Sequence, residues 1–306
     1  MTVRDLPNGV AVVGAGRMGV GIAHAFLVRG CAVEVRDTSP AALQRGIDAT
    51  RKSVRRTAQK YAHFDEEQAL ARLSAGLGME ALPAVDLVVE AVPELPELKK
   101  EVLAAVSAAV PATTVVATNT SSISISELAA AVSEPRRFLG MHFFNPVPVS
   151  RLVEVIRGDL TSDETVATVG RWIAGIRKSS ITVDDRPGFA TSRLGVATGL
   201  EAIRMLEEGV ASASDIDAGM ELGYGYPIGP LRLTDLVGLD VRLEIAEYCS
   251  AYYGARFEPP RLMRELVAAG ELGRKSGVGF YDWSDPDHPV ARPLPERGIV
   301  TAIERA

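Results

Sequence analysis

Val10-Ala11-Val12-Val13-Gly14-Ala15-Gly16-Arg17-Met18-Gly19 runs from four apolar residues through three glycines into a segment with helical patterning. The apolar run reads as a short buried strand and the pattern over about 18–29 as the helix that follows it. In such a unit Gly14 permits the tight turn. Gly16 lets the backbone approach a pyrophosphate, and Gly19 lets the helix pack close to the strand. The first helical residues, Arg17 and Met18, then present unsatisfied N–H groups and the positive end of the helix dipole to phosphates. A glycine turn in an unrelated α/β protein is the bland alternative, and the surrounding strand, helix and downstream acid argue against it.

A second strand over 32–36 ends at Asp37, 18 residues past Gly19. A carboxylate there accepts from both ribose hydroxyls of an adenosine and repels a 2′-phosphate, so NAD is expected rather than NADP. Arg36 is the neighbour that could partner such a phosphate. Further strands are expected over 86–91, 113–117, 138–141, 152–156 and 181–183. Helices are expected over 41–61, 65–75, 97–110, 125–132 and 164–176. Strands spaced by helices imply a mostly parallel sheet covered on both faces. After Asp184-Asp185-Arg186-Pro187-Gly188 the pattern becomes helical through Leu194, Ala197, Leu200, Ile203 and Leu206. The expected fold is α/β: a Rossmann-type, mostly parallel sheet with a two-helix insertion over 1–186, followed by an all-helical C-terminal domain over 187–306. The tail beyond about 283, with Pro286, Pro289, Pro293 and Pro295, is expected to be extended and weakly anchored.

With 47% hydrophobic and 24% charged residues in 306, the chain can bury a substantial core and is not a disordered one. A formal net charge of −6 speaks against a nucleic-acid partner. Two distant cysteines, Cys31 and Cys249, form neither a disulfide framework nor a metal site. No stretch approaches the length of a membrane span, and no signal-peptide pattern opens the chain, so a cytoplasmic protein without a membrane partner is expected.

Four histidines are present, and three of them (His24, His63 and His288) suit helix-surface or loop positions. His142, in Gly140-Met141-His142-Phe143-Phe144-Asn145-Pro146-Val147-Pro148, instead ends a strand at the ligand edge of the sheet. Oxidising an alcohol needs a base for the hydroxyl proton as the hydride leaves carbon, and imidazole suits that exchange near neutral pH. Glu154, in the apolar run Leu152-Val153-Glu154-Val155-Ile156, could accept from the other ring nitrogen and fix the tautomer. Thr118-Asn119-Thr120-Ser121-Ser122 closes another strand at the same edge. Its hydroxyls either bind a substrate oxygen or cap the next helix, with Ser122 and Ser124 suiting capping and Ser121 left as the ligand group.

These segments, with Val89-Glu90-Ala91-Val92-Pro93-Glu94, Pro187-Gly188-Phe189 and the stretch from Leu272 to Tyr281, resemble the 3-hydroxyacyl-CoA dehydrogenase family, in its short-chain 3-hydroxybutyryl-CoA branch. The resemblance runs from Val12 to about Trp283. It implies an oxidoreductase of fatty acid metabolism using NAD, with His142 as base, Glu154 as its partner and Ser121 touching substrate and nicotinamide. It implies Asp37, Glu94, Lys99, Asn145 and Lys275 as cofactor contacts, and a helical domain that shapes the substrate pocket and forms a homodimer. One position departs: Ser192 stands before Arg193 where the family has asparagine to hold the thioester carbonyl. The helix carrying Arg51, Lys52, Arg55, Arg56 and Lys60 covers coenzyme A in the family, although such a basic run also suits a plain solvated face. An acyl-carrier thioester, a sugar acid, or a non-catalytic NADH-binding role are the competing readings.

Overall fold

The computed structural model describes residues 5–79, 82 and 84–293. The chain divides into two compact units, 1–189 and 190–306. In the first, β1 (Gly9–Val13), β2 (Ala32–Asp37), β3 (Leu73–Leu77), β4 (Leu87–Glu90), β5 (Val115–Thr118), β6 (Phe138–Phe143), β7 (Leu152–Arg157) and β8 (Ser179–Asp184) form one sheet in the order β3-β2-β1-β4-β5-β6-β7-β8. β1 through β6 run parallel, while β7 pairs antiparallel with β6, and β8 runs with β7. The mostly parallel sheet expected from the sequence is thus present, with a reversal between β6 and β7.

Strand alternation divides the apolar side chains between two cores. Val10, Val12, Leu87 and Val89 face one side with Ile22 and Phe26 of α1 (Arg17–Leu27) and Trp172 and Ile173 of α6 (Asp163–Gly175). Ala11, Val13, Val88 and Val116 face the other, with Leu103 and Val106 of α4 (Pro96–Ala109) and Leu128 of α5 (Ile125–Leu128). Two-sided burial is why these strands read as continuous apolar runs, and each such side chain contributes roughly 1.5–3 kcal/mol.

The insertion differs from expectation. α2 (Pro40–Lys60) is long, but α3 (Glu66–Leu70) is a single turn, and the rest of the predicted second helix is β3 at the sheet edge. Gly76 is fitted to this pairing: a Cβ on it would meet the Arg36–Glu34 ion pair of β2 within 2.7 Å. His24 also departs from its expected surface position. α2 lies across α1, and the buried ring bonds Thr57 Oγ1 through Nε2 at 2.9 Å. Burial, helped by Lys178 and Arg29, pushes its pKa down to about 4, so it stays neutral.

The second unit contains α7 (Thr191–Glu207), α8 (Ala213–Tyr224), α9 (Pro230–Val237), α10 (Leu239–Tyr253) and α11 (Arg261–Ala268) around their own core. Asp235 of α9 accepts from the backbone N–H groups of Phe280 and Tyr281 and from Trp283 Nε1 at 2.8–3.0 Å. Asp217 accepts from Leu231 N, Arg232 N and Tyr281 Oη at 2.7–2.9 Å. These two carboxylates fasten the 280–283 segment to the helices. The beginning of the tail is anchored, contrary to expectation: β10 (Val290–Ala291) pairs with β9 (Tyr281–Asp282), and Arg292 binds Glu271 and the Gly279 carbonyl. The expectation for Pro295 falls outside the described residues. Among the described residues, no helix is long and apolar enough to cross a membrane.

Candidate active site

The glycine turn has the local geometry that its sequence promised. Gly14 takes φ +106°, and a Cβ on it would lie 2.6 Å from the Ala91 carbonyl oxygen. A Cβ on Gly19 would lie 1.8 Å from the Gly14 oxygen, so the α1–β1 approach excludes any side chain. At Gly16, by contrast, a Cβ would meet nothing within 4 Å. The protein's own packing does not demand glycine there, whereas a dinucleotide pyrophosphate lying on the turn does. Gly16 caps α1 without a side-chain bond, and no acid sits in the first turn, so the N–H groups around Arg17 and Met18 retain their field for an anion.

Asp37 closes β2 beside this turn. Its two oxygens accept from Ala15 N at 3.0 Å and Ser39 N at 2.9 Å, which aims the carboxylate at the glycine loop. Arg36 is turned into the sheet edge, buried against Glu34 and donating to the Gly78 carbonyl at 3.0 Å. It is committed there, which leaves Asp37 as the charged side chain beside the glycine loop.

At the centre of the sheet lies a network that sequence reasoning only brushed. Glu90, wholly buried at the end of β4, accepts from Lys99 Nζ at 2.7 Å, Thr118 Oγ1 at 2.5 Å and Val92 N at 2.7 Å. Lys99 is 1% exposed and also reaches Glu94 at 3.3 Å. Glu94 in turn accepts from Thr120 Oγ1, Ser121 N and Ser121 Oγ at 2.5, 2.8 and 3.2 Å, with Ser122 N at 3.3 Å. Lys99 and these donors hold the Glu94 carboxyl below its usual range, although burial opposes them as the largest single influence. Lys99 is therefore sealed between two carboxylates and orders Glu94, which orders Ser121. Ser124 does cap α5, as expected. Ser122 does not: its N–H and hydroxyl face Glu94 because the chain turns once more before the helix starts. Glu90 carried a readable signal, a carboxylate ending the apolar run Leu87-Val88-Val89, the same signal that singled out Glu154.

His142 lies one residue before the end of β6, directly opposite Glu154 in the antiparallel register with β7. Its Nδ1 is 3.0 Å from Glu154 Oε2, and Glu154 is fully buried. Nε2 has no hydrogen-bond partner among the described residues. Phe144 stacks obliquely on the imidazole at 4.4 Å between ring centres, and Phe189, held at φ +50°, lies at 6.3 Å. Asn119 Oδ1 accepts from Phe143 N at 2.9 Å, tying the Ser121 loop to the His142 strand. Beyond β6, Asn145 opens a loop whose carbonyls at Val147 and Ser150 both accept from Lys178 Nζ at 2.6 and 2.5 Å. Lys178 is held below its ordinary pKa by burial and then by Arg29. Its anchoring of the loop was not anticipated from sequence.

Ser192, in the first turn of α7, and Lys275, ion-paired with Asp240, belong to the second unit. The basic face of α2 is partly neutralised, with Arg51 near Asp48 at 3.6 Å and Arg55 near Glu66 at 3.2 Å.

Comparison with known proteins bears on this geometry directly. Residues 9–186 match the model of the 3-hydroxyacyl-CoA dehydrogenase NAD-binding domain and residues 188–283 that of the family's C-terminal domain. The chain belongs to the 3-hydroxyacyl-CoA dehydrogenase family. A probable 3-hydroxybutyryl-CoA dehydrogenase of Bacillus subtilis is 40% identical over 279 residues, covering 90% of this chain and 97% of the relative. A 3-hydroxyadipyl-CoA dehydrogenase of Escherichia coli is 42% identical, and the match spans 58% of that longer protein. The crystal structure of (S)-3-hydroxybutyryl-CoA dehydrogenase from Ralstonia eutropha is 44% identical, with a TM-score of 0.87 over 91% of this chain and 99% of the other. NAD is the cofactor of this family's first domain, and the Gly16 cradle and Asp37 fit it.

The Asp37 geometry predicts that NADH binds at least about tenfold tighter than NADPH, and that Asp37→Ser narrows the gap to about threefold or less. Fluorescence titration of both cofactors checks this. Equal affinity in the native protein would show that Arg36 leaves its ion pair to take the phosphate.

Proposed function

We propose that the protein catalyses the reversible oxidation of a short-chain (S)-3-hydroxyacyl-CoA to the 3-oxoacyl-CoA, with His142 as the base. The buried, in-register His142–Glu154 pair carries this reading, in a chain whose relatives bear the names of 3-hydroxyacyl-CoA dehydrogenases. NAD, which Gly14–Gly19 and Asp37 would hold, would supply the acceptor for the hydride from C3. His142 takes the hydroxyl proton at Nε2, since Nδ1 is turned to Glu154. Glu154 positions the ring and offsets the imidazolium charge, the division of work found in other base-and-carboxylate sites. In the reverse direction the protonated ring donates to the 3-keto oxygen.

Ser121 is the second group assigned to the substrate oxygen and to the nicotinamide. Glu94 fixes its hydroxyl, and Lys99 fixes Glu94, so the buried cation acts at one remove. Phe144 and Phe189 keep water from the imidazole, which strengthens every charge interaction beside it. Lys178 holds the loop that carries Asn145, assigned to the nicotinamide side. Ser192 takes the place of the family's asparagine and donates to the thioester carbonyl directly or through water. Lys275, ion-paired with Asp240, is assigned to the cofactor.

The same reading makes the helical unit a substrate-shaping and dimerising element, supported by Leu222 and Tyr224, which are 88% and 79% exposed on α8. A monomeric mass by light scattering contradicts the dimer. It also takes the protein as cytoplasmic, in keeping with two buried free cysteines.

With acetoacetyl-CoA, the native protein is expected to oxidise NADH. His142→Gln should lose about 10²–10⁴-fold in kcat while binding NADH as before. Comparable turnover in the variant removes His142 as the base. A native protein that binds NADH and ignores this thioester overturns the substrate assignment.

A further inference from the structure

Glu90 is a buried carboxylate with no part in the chemistry assigned above. It closes β4 at 0% exposure and is paired with Lys99, itself 1% exposed. After Leu87-Val88-Val89 an apolar residue would serve the sheet at least as well, because burying an ion pair commonly costs as much desolvation as its attraction returns.

Three charged groups stand in a short row here. Lys99 Nζ is 2.7 Å from Glu90 Oε1 and 3.3 Å from Glu94 Oε2. Two carboxylates and one ammonium leave a single negative charge over, and the order of the row decides where it resides. The shorter and drier contact commits the cation to Glu90, so the surplus falls on Glu94 at the rim, whose side chain is 34% exposed. Without Glu90, the same ammonium would be the counter-ion of Glu94 and the rim would be neutral.

Among the described residues, Lys99 is the one cation within 4 Å of Glu94. The groups on Glu94 Oε1, from Thr120, Ser121 and Ser122, are neutral donors that spread its charge without cancelling it. Burial is the largest single influence on Glu94 and acts to raise its pKa. Lys99 and the donors together outweigh it, so the group is ionised at neutral pH. The surplus charge thus stands against Ser121, the group assigned above to the nicotinamide. Oxidised nicotinamide is a cation and the reduced ring is neutral, so a negative charge on this side favours the oxidised form. The pyrophosphate is common to both forms and drops out of their ratio.

We propose that Glu90 is a positioning residue for charge: by taking up the cation of Lys99 it keeps the rim at Glu94 negative, and so raises the affinity for NAD relative to NADH. This rests on the NAD-dependent reading above and adds to it a residue sealed from both cofactor and substrate.

Calorimetric titration with NAD and with NADH gives the ratio of the two affinities, which a general loss of packing would leave unchanged. Glu90→Gln keeps the side-chain shape and releases Lys99 to Glu94. It should move the ratio toward NADH by about threefold or more. Adding Lys99→Met to that variant removes the cation, leaves Glu94 negative again, and should return the ratio to within about twofold of native. An unchanged ratio in Glu90→Gln overturns the inference, and so does a double variant that stays shifted. An equal loss of both cofactors overturns it as well, by assigning Glu90 to the fold. Turnover of acetoacetyl-CoA by the native protein, measured alongside, separates any of these failures from a failure of the dehydrogenase reading. If Glu90→Gln does not fold, the double variant is compared with Glu94→Gln, which strips the charge at the exposed rim. The double variant must then hold the native ratio while Glu94→Gln moves it toward NADH by about threefold or more, and any other pair of results contradicts the proposal.

Discussion

The antiparallel pairing of β6 with β7 is the constraint on which the chemistry depends. Six parallel strands bring the ends of β1, β4, β5 and β6 to one edge, but a seventh parallel strand would not set Glu154 across from His142. Reversal of β7 does so through backbone hydrogen bonds, before any side chain contributes. A carboxylate buried in an apolar sheet needs hydrogen-bond donors, and the imidazole Nδ1 of His142 is placed to be one. The pair is thus demanding of geometry: moving β7 by one residue against β6 would turn Glu154 to the face opposite His142.

A second set of buried charges does the same work for the hydroxyl side. Lys99 neutralises Glu90 inside the sheet and reaches Glu94 at its rim, where Thr120, Ser121 and Ser122 converge. Removing Glu90 would leave buried Lys99 with only the longer contact to Glu94 at the rim, so this network is as much a condition of the fold as of the site. Asn119 joins the two halves by accepting from Phe143 N, next to His142. The helical unit relies on a comparable device, with Asp235 of α9 and Asp217 of α8 holding the 280–283 segment.

What could be read from sequence was what leaves a local mark. The turn at Gly14–Gly19 is legible because each glycine answers a steric demand within a few residues. Glu154 is legible because a charge inside Leu-Val-x-Val-Ile has to be paired. β3 was hidden because Leu73-Ser-Ala-Gly-Leu77 has little strand character of its own, and its pairing is dictated by β2 and the ion pair beneath Gly76. His24 was misread for a related reason, since its burial is imposed by α2 from another part of the chain. Lys178 is a long cationic side chain of a kind usually solvated, and only tertiary packing shows it bound to loop carbonyls. The anchoring of Arg292 reflects the same dependence on distant partners.

The most direct test of the His142–Glu154 unit is a double-mutant cycle on the hydride-transfer rate, measured in single turnovers with NADH binding checked in each variant. If Glu154 acts through the imidazole, Glu154→Gln alone slows the step by about tenfold or more, and adding it to His142→Gln changes the residual rate by less than about threefold. Full additivity of the two losses would contradict this account, because Glu154 would then be contributing to catalysis independently of the base.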